Sequence, residues 1–294
     1  MYTQDYYKNL NLGRDKMSNL LEAIVRIHNL KNLKIEDFYK SRIRANNMGE
    51  ALEKFITDAF ADTFDIKNEE QRNIKYSEIF SYIANQNNPP DAIIKGGDAI
   101  EIKKVESKNP KSIPLNSSYP KNKLYADSPM ITDKCRECEE GWKEKDIIYA
   151  VGIIREKYLK ALCFVYGEDY AATPDIYERM KNAIKSGIGE IPNIKFAKTT
   201  ELSRVNRVDP LGITYLRVRG MWGIDIPFEV FNYITNGQKF FAIISNKKYN
   251  TFPKQSIEII EKTKGIVITD HKIKDPNNPA KLKDVKLVSF KEVI

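Results

Sequence analysis

The chain has 294 residues, long for one domain and short for three, and its 41% hydrophobic content is ample for a real core. Forty-eight Lys and Arg against 40 Asp and Glu give a formal charge of +8 and a pI near 9.1, which favours a polyanionic partner; a bias toward Lys, Asn and Ile reaches such a pI with no binding surface at all. The polar stretch from Met1 to Arg14 does not resemble a signal peptide, no run approaches the roughly eighteen apolar residues of a membrane span, and three cysteines form no disulfide framework. A soluble, cytoplasmic protein is expected. Cys135-x-x-Cys138 is too sparse for structural zinc, because Cys163 sits in an apolar run and His28 and His271 are distant in sequence.

In chain order, Lys16 to Asn29 carries Met17, Leu20, Leu21, Ile24, Val25 and Ile27 at helical spacing. A second helix is predicted from about Asn47 to Ala61, with Leu52, Phe55, Ile56, Ala59 and Phe60 on its core face. A short helix is expected through Tyr76 to Ala84, then a hairpin, then a long irregular connection from Ser107 to Thr132. Ile147 to Ile154 and Ala161 to Tyr166 read as strands joined by the charged turn Arg155 to Lys160. Pro174 to Ser186 has helical periodicity through Ile176, Met180 and Ile184, with Gly187 as the stop. Further strands are predicted at Ile213 to Val218, Phe240 to Ile244, Gly265 to Thr269 and Val285 to Phe290, so the expected class is α/β (α+β), a central mixed β-sheet flanked by helices.

The hairpin, Pro89-Pro-Asp-Ala-Ile-Ile-Lys-Gly-Gly-Asp-Ala-Ile-Glu-Ile-Lys-Lys104, carries the chemistry. In a strand from Asp98 to Val105, Glu101 and Lys103 share one face while Ile100 and Ile102 take the other. A two-residue Gly96-Gly97 loop would set Asp91 opposite Ile102; a three-residue loop of Lys95, Gly96 and Gly97 sets it opposite Glu101. The three-residue loop is therefore predicted, with Gly97 in the left-handed region. Two carboxylates and an ammonium at one hairpin end suit metal-assisted phosphodiester hydrolysis, with oxygen ligands for a hard cation and a positive group beside the attacking water; the motif taken alone equally describes a hairpin with a solvated charged face. Lys104, on the other face from Lys103, reads as a sheet-edge or loop-packing charge.

Two basic, aromatic-bearing segments are candidate nucleic-acid contacts. The first is Asn116-Ser-Ser-Tyr-Pro-Lys-Asn-Lys123, offering Ser117, Ser118, Tyr119, Lys121 and Lys123 to phosphate oxygens. The second runs from Arg204 to Arg219 and presents Arg204, Asn206, Arg207, Arg217 and Arg219. Arg217 and Arg219 lie two apart and would line one strand face, where guanidinium forks address guanine edges; the bland alternative is ion pairing to Asp209 or neighbouring acids. Met221 and Trp222 read as core, and Tyr119 either stacks or packs.

Pro90-Asp91 with Glu101-Ile-Lys103 resembles the PD-(D/E)XK nuclease core. Around it, Asn88-Pro-Pro-Asp-Ala, Gly97-Asp-Ala-Ile-Glu-Ile-Lys-Lys, Lys145-Asp-Ile-Ile-Tyr and Val205-Asn-Arg-Val-Asp-Pro-Leu-Gly-Ile-Thr-Tyr-Leu-Arg-Val-Arg-Gly-Met-Trp-Gly resemble the NgoPII-type family of type II restriction endonucleases. The resemblance spans roughly residues 45 to 235 and is much weaker outside them. It implies one nuclease domain over 1–294, with a helical part to about 45, a catalytic and DNA-binding core over about 46–235 and a C-terminal part beyond. It also implies a homodimer that uses Mg2+ to cut both strands of double-stranded DNA at a short palindrome, GGCC, and a companion DNA methyltransferase as a functional partner. Asp91 and Glu101 would be metal ligands with the Ile102 carbonyl, and Lys103 would orient or help deprotonate the water. Such nucleases often add a carboxylate from the first core helix; Glu53 is favoured over Glu50, which also reads as a helix N-terminal charge. A repair or structure-specific nuclease of the same core, and a non-catalytic basic DNA-binding protein, are the alternatives.

Overall fold

Asn19 opens the first helix of the computed structural model, its side chain accepting from Leu21 N at 3.0 Å and Glu22 N at 3.3 Å. The structure describes residues 18–35, 48–84, 89–106, 110–191, 195–197, 199 and 201–291; Lys16 and Met17 of the predicted first helix lie outside them. Helix α1 (Leu20–Asn29) packs on α2 (Met48–Ala61), and Arg26 of α1 donates from Nη1 to the Ala59 and Phe60 carbonyls at 3.0 and 2.8 Å, satisfying the end of α2. Leu52, Phe55, Ile56, Ala59 and Phe60 are all fully buried, as their spacing predicts. Each large apolar side chain so buried stabilises by about 1.5–3 kcal/mol.

Helix α3 (Glu69–Ile79) leads into β1 (Phe80–Ile83), β2 (Ala92–Ile94) and β3 (Ala99–Val105). Then come β4 (Ser112–Asn116), β5 (Lys123–Tyr125), β6 (Glu144–Arg155), β7 (Tyr158–Tyr166), α4 (Pro174–Gly189), β8 (Lys195–Phe196), β9 (Ser203–Asn206), β10 (Tyr215–Val218), β11 (Trp222–Asp225), β12 (Phe240–Ser245), α5 (Lys254–Lys262), β13 (Val267–Asp275) and β14 (Asn278–Ser289). The main sheet runs β1-β2-β3-β6-β7-β12-β14-β13, with β5 beside β6. It is mixed: β3–β6 and β7–β12 are parallel, and the other pairs antiparallel. Period-two alternation splits its strands between two cores. Ile100, Ile102, Ala150 and Phe164 face α1, α2 and α5, while Ala99, Val105, Tyr149, Val151 and Val165 face Ile113, Leu124, Tyr170 and Phe231. Two small sheets, β10-β9-β8 and β11-β4, lie apart from it.

Several expectations are corrected. The helix predicted over Tyr76 to Ala84 starts earlier, at an Asn68 cap, and ends at Ile79, because Phe80–Ile83 is captured as a strand against β2. The connection from Ser107 to Thr132 contributes β4 and β5, which are too short and too rich in Ser, Pro and Lys to show a period. The β6–β7 turn is tighter than predicted, with left-handed Glu156 and Lys157 at its tip. Helix α4 runs through Gly187 to Gly189; an interior glycine costs only about 1 kcal/mol and does not stop a helix. Its apolar stripe covers no core, leaving Met180 55% exposed. Met221, expected inside, is 69% exposed, whereas Trp222 is half-buried against Tyr119 and Tyr177.

Candidate active site

The register Ala92↔Ile100 and Ile93↔Ala99, carried one residue further, sets Asp91 opposite Glu101. Asp91 N donates to Ile100 O at 2.9 Å and Ile102 N donates to Asp91 Oδ2 at 2.5 Å, so two hydrogen bonds bracket Glu101. The loop is the predicted one, Lys95-Gly96-Gly97, closed by Ile94 N to Asp98 O at 2.9 Å. Its left-handed residue is Gly96 (φ 63°), not Gly97. Gly97 N donates to Ile94 O, so Ile94 to Gly97 is a β-turn, and the positive φ falls on its third residue. Glu139 and Lys145 clamp this loop from outside. Glu139 Oε1 accepts from Gly96 N at 3.0 Å, and Lys145 Nζ donates to Glu139 Oε2 at 2.6 Å and to Gly97 O at 3.2 Å.

Glu101 is buried, 8% exposed. Its Oε1 pairs with Lys103 Nζ at 2.6 Å, while its buried Oε2 has no hydrogen-bond partner. An unpartnered carboxylate oxygen is costly inside a protein and fits a cation-ligand position. Burial first, and then the charge of Glu101, push the Asp91 carboxyl up to about 8. Burial works against the charge on Lys103, but Glu101, Asp91 and Glu53 outweigh it and hold the ammonium above its ordinary pKa. Glu53, on the α2 turn over β3, is raised by desolvation and by Glu50 and Glu101, against the pull of Lys103. Asp91, Glu101, Lys103 and Glu53 thus share one electrostatic site. Lys104 is paired with Glu106 at 2.8 Å and also acts on Glu53.

The segment from Ser117 to Lys123 divides. Tyr119 packs: it stacks on Tyr177 with ring centroids 5.3 Å apart, meets Trp222 edge-on and donates to Glu178 at 2.9 Å. Lys123 is ringed by Glu144 at 2.7 Å, Glu168 at 3.4 Å and Asp146 at 3.6 Å. Ser117 and Ser118 are half-buried. Lys121 is buried, donates to Ser118 Oγ and is brought near Glu101 and Lys103; burial pushes its pKa down to about 8, against the pull of Glu101. Gly167 permits this path, since a Cβ there would collide with the carbonyl oxygens of Lys121 and Asn122. Gly167→Ala is expected to cost about 1–3 kcal/mol, read as a lowered melting temperature.

In the second segment, Arg217 lies opposite Arg204 and Tyr215 opposite Asn206 across β9–β10. Arg217 and Arg219 do share a face, and both are held by Glu201, at 2.5 Å and 2.9 Å: they ion-pair to a neighbouring acid, as the bland alternative has it, with Glu201 and not Asp209 as that acid. Arg204 sits over the Tyr215 ring at 5.1 Å; Arg207 is exposed with φ 54°. Asp209 instead shapes the turn, accepting from Leu211 N and Thr214 N. Sequence reasoning missed the Glu201 carboxylate and the closeness of Lys121 to Glu101. Tyr149, the β6 register partner of Glu101, accepts from Lys121 N at 2.7 Å. Freeing the arginines by Glu201→Gln is expected to strengthen nonspecific duplex binding and steepen its salt dependence by about one counterion for each further phosphate neutralised, read by anisotropy over a salt series.

A mixed sheet flanked by helices, with an acidic pair and a lysine at one hairpin, has the architecture of a restriction-endonuclease-like fold. The sequence profile of the NgoPII restriction endonuclease family matches residues 18–274. The type II restriction enzyme NgoPII of Neisseria gonorrhoeae is 48% identical over 278 residues, covering 92% of this chain and 99% of that protein. The chain belongs to the NgoPII restriction endonuclease family. The match reaches past the expected span of 45 to 235 at both ends. No solved structure matches the chain significantly.

Proposed function

We propose that this protein is a homodimeric, Mg2+-dependent type II restriction endonuclease that hydrolyses both strands of double-stranded DNA at a short palindrome, GGCC by family resemblance. The observation that carries the reading is the buried, unpartnered Oε2 of Glu101, set opposite Asp91 by the hairpin register and with Lys103 Nζ 2.6 Å from its Oε1. Asp91, Glu101 and the Ile102 carbonyl are the proposed ligands, an all-oxygen set suited to a hard cation that keeps several waters. Among the described residues no three His, Cys, Asp or Glu side chains gather at one point, so two carboxylates would serve. Bound there, Mg2+ would neutralise phosphate charge and acidify water. Lys103, 2.6 Å from Glu101 Oε1, orients or helps deprotonate the attacking water and stabilises charge growing on the phosphate. Glu53 adds a further carboxylate at the rim.

Ser117, Ser118, Tyr119, Lys121 and Lys123 are proposed along the DNA path, with Arg204, Asn206, Arg207, Arg217 and Arg219 toward the bases. A G and C palindrome offers guanine O6 and N7 to such donors. The reading also takes residues 1–294 as one nuclease domain, with a cytoplasmic location and a cognate methyltransferase as functional companion. Among the described residues no helix is long and apolar enough to cross a membrane. Incubation with unmethylated linear DNA and Mg2+, followed by sequencing of fragment ends, tests the proposal. Discrete ends at one palindrome support it; scattered or structure-linked ends point to a repair-type nuclease, and uncut DNA to a binding protein.

A further inference from the structure

We infer that Lys121 is a second cationic residue of the cleavage centre, its ammonium placed to hold a non-bridging oxygen of the scissile phosphodiester; this rests on the nuclease reading above. The side chain is 7% exposed, and among the described residues no carboxylate pairs with it. Its Nζ has the Ser118 hydroxyl as acceptor and lies 5.9 Å from the Tyr119 ring centroid. Lys123, two residues on, is ringed by three carboxylates, and Lys103 is paired with Glu101. Lys121 is therefore a buried lysine that feels the charge of Glu101 without a carboxylate in ion-pair contact among the described residues, an arrangement that is costly unless a ligand completes it.

Its placement is built. Lys121 N donates to the Tyr149 hydroxyl at 2.7 Å, and Tyr149 is the β6 register partner of Glu101. The collision that any Cβ at position 167 would make with the carbonyls of Lys121 and Asn122 shows how closely the chain is held there. The backbone tie to Tyr149, the register partner of Glu101, sets Lys121 beside the proposed cleavage centre, and Glu101 and Lys103 are accordingly the charges its ammonium feels. The anion that suits this site is a phosphodiester drawn in beside the acidic pair. Lys103 then faces the water and Lys121 the phosphate.

The test uses Lys121→Met, which keeps the buried stem and removes the charge, with Lys121→Gln as the second variant and melting temperature as the folding control. Single-turnover cleavage of a duplex bearing the palindrome defined by fragment ends is expected to slow by on the order of 10²–10³-fold. Binding is then measured without divalent cation, on that duplex and on one carrying a neutral methylphosphonate at the scissile position. Wild type should lose affinity on the methylphosphonate and Lys121→Met should not, a coupling that a merely structural lysine would not show. Wild-type cleavage rates in both folded variants, or equal methylphosphonate losses in wild type and variant, would overturn the inference. Failure of the wild-type protein to cut any duplex would instead sink the nuclease reading beneath it.

Discussion

Lys103→Ala is expected to lower the single-turnover cleavage rate by about 10³-fold or more while duplex affinity changes by less than about threefold. The separation follows from where the ammonium sits. Lys103 is 2.6 Å from Glu101 Oε1 and under the fields of Asp91 and Glu53, so on the proposed reading its charge would act at the reacting phosphate and not along the DNA path. Lys103→Arg would not rescue the rate fully, because a planar fork cannot reproduce a point charge within a strand-to-carboxylate contact this short. A variant that bound poorly and cut in proportion would place Lys103 among the binding residues.

Asp91→Asn should combine loss of cation-dependent cleavage with a gain in the stability of the metal-free protein. The folded-state pKa of Asp91 is pushed up to about 8, by burial first and by Glu101 next, with Glu53 adding to it and Lys103 and the Ile102 N–H opposing. The native state therefore binds a proton that the unfolded chain has released, and wild-type stability falls as pH rises from about 4 through about 8. Asn keeps an acceptor for Ile102 N and carries no charge. At pH 9 the metal-free variant should melt above wild type, by on the order of 2–4 °C for each kcal/mol recovered, and the difference should vanish near pH 4. Adding Mg2+ at pH 8 should raise the wild-type melting temperature and leave the variant unmoved. A variant less stable than wild type at high pH would mean that the Asp91 charge is well solvated or well paired.

Much of the Asp91–Lys103 hairpin was legible because a period of two is unforgiving. With Glu101 and Lys103 on one face, only a three-residue loop brings Asp91 opposite Glu101, and that register is present. The glycine with positive φ was misplaced by one residue, since spacing fixes loop length but not which hydrogen bond closes the turn. Helix α2 was readable from its five buried apolar positions, whereas α4 shows the limit of the same rule: Ile176, Met180 and Ile184 have the periodicity of a buried face and stand exposed. Periodicity reports a helix, not what covers it. Long-range partners were beyond reach in a different way. Lys121 and Lys123 are alike in sequence, yet Lys121 is buried within the field of Glu101 and Lys123 lies within a ring of acids, a difference set by long-range packing such as the close approach of Gly167 to the Lys121 carbonyl. The Arg217 and Arg219 pair was correctly set on one face, but its acidic partner is Glu201, a residue that lies before the Arg204 to Arg219 string.

The central claim is that Asp91, Glu101 and Lys103 form the hydrolytic centre. Fragment-end sequencing of unmethylated linear DNA, treated in Mg2+ with wild type and with Glu101→Gln in parallel, tests it most directly. Wild type should yield discrete ends at one palindrome, and Glu101→Gln, deprived of the carboxylate whose Oε2 stands unpartnered, should leave the DNA intact. The same ends produced by Glu101→Gln at the wild-type rate would contradict the account.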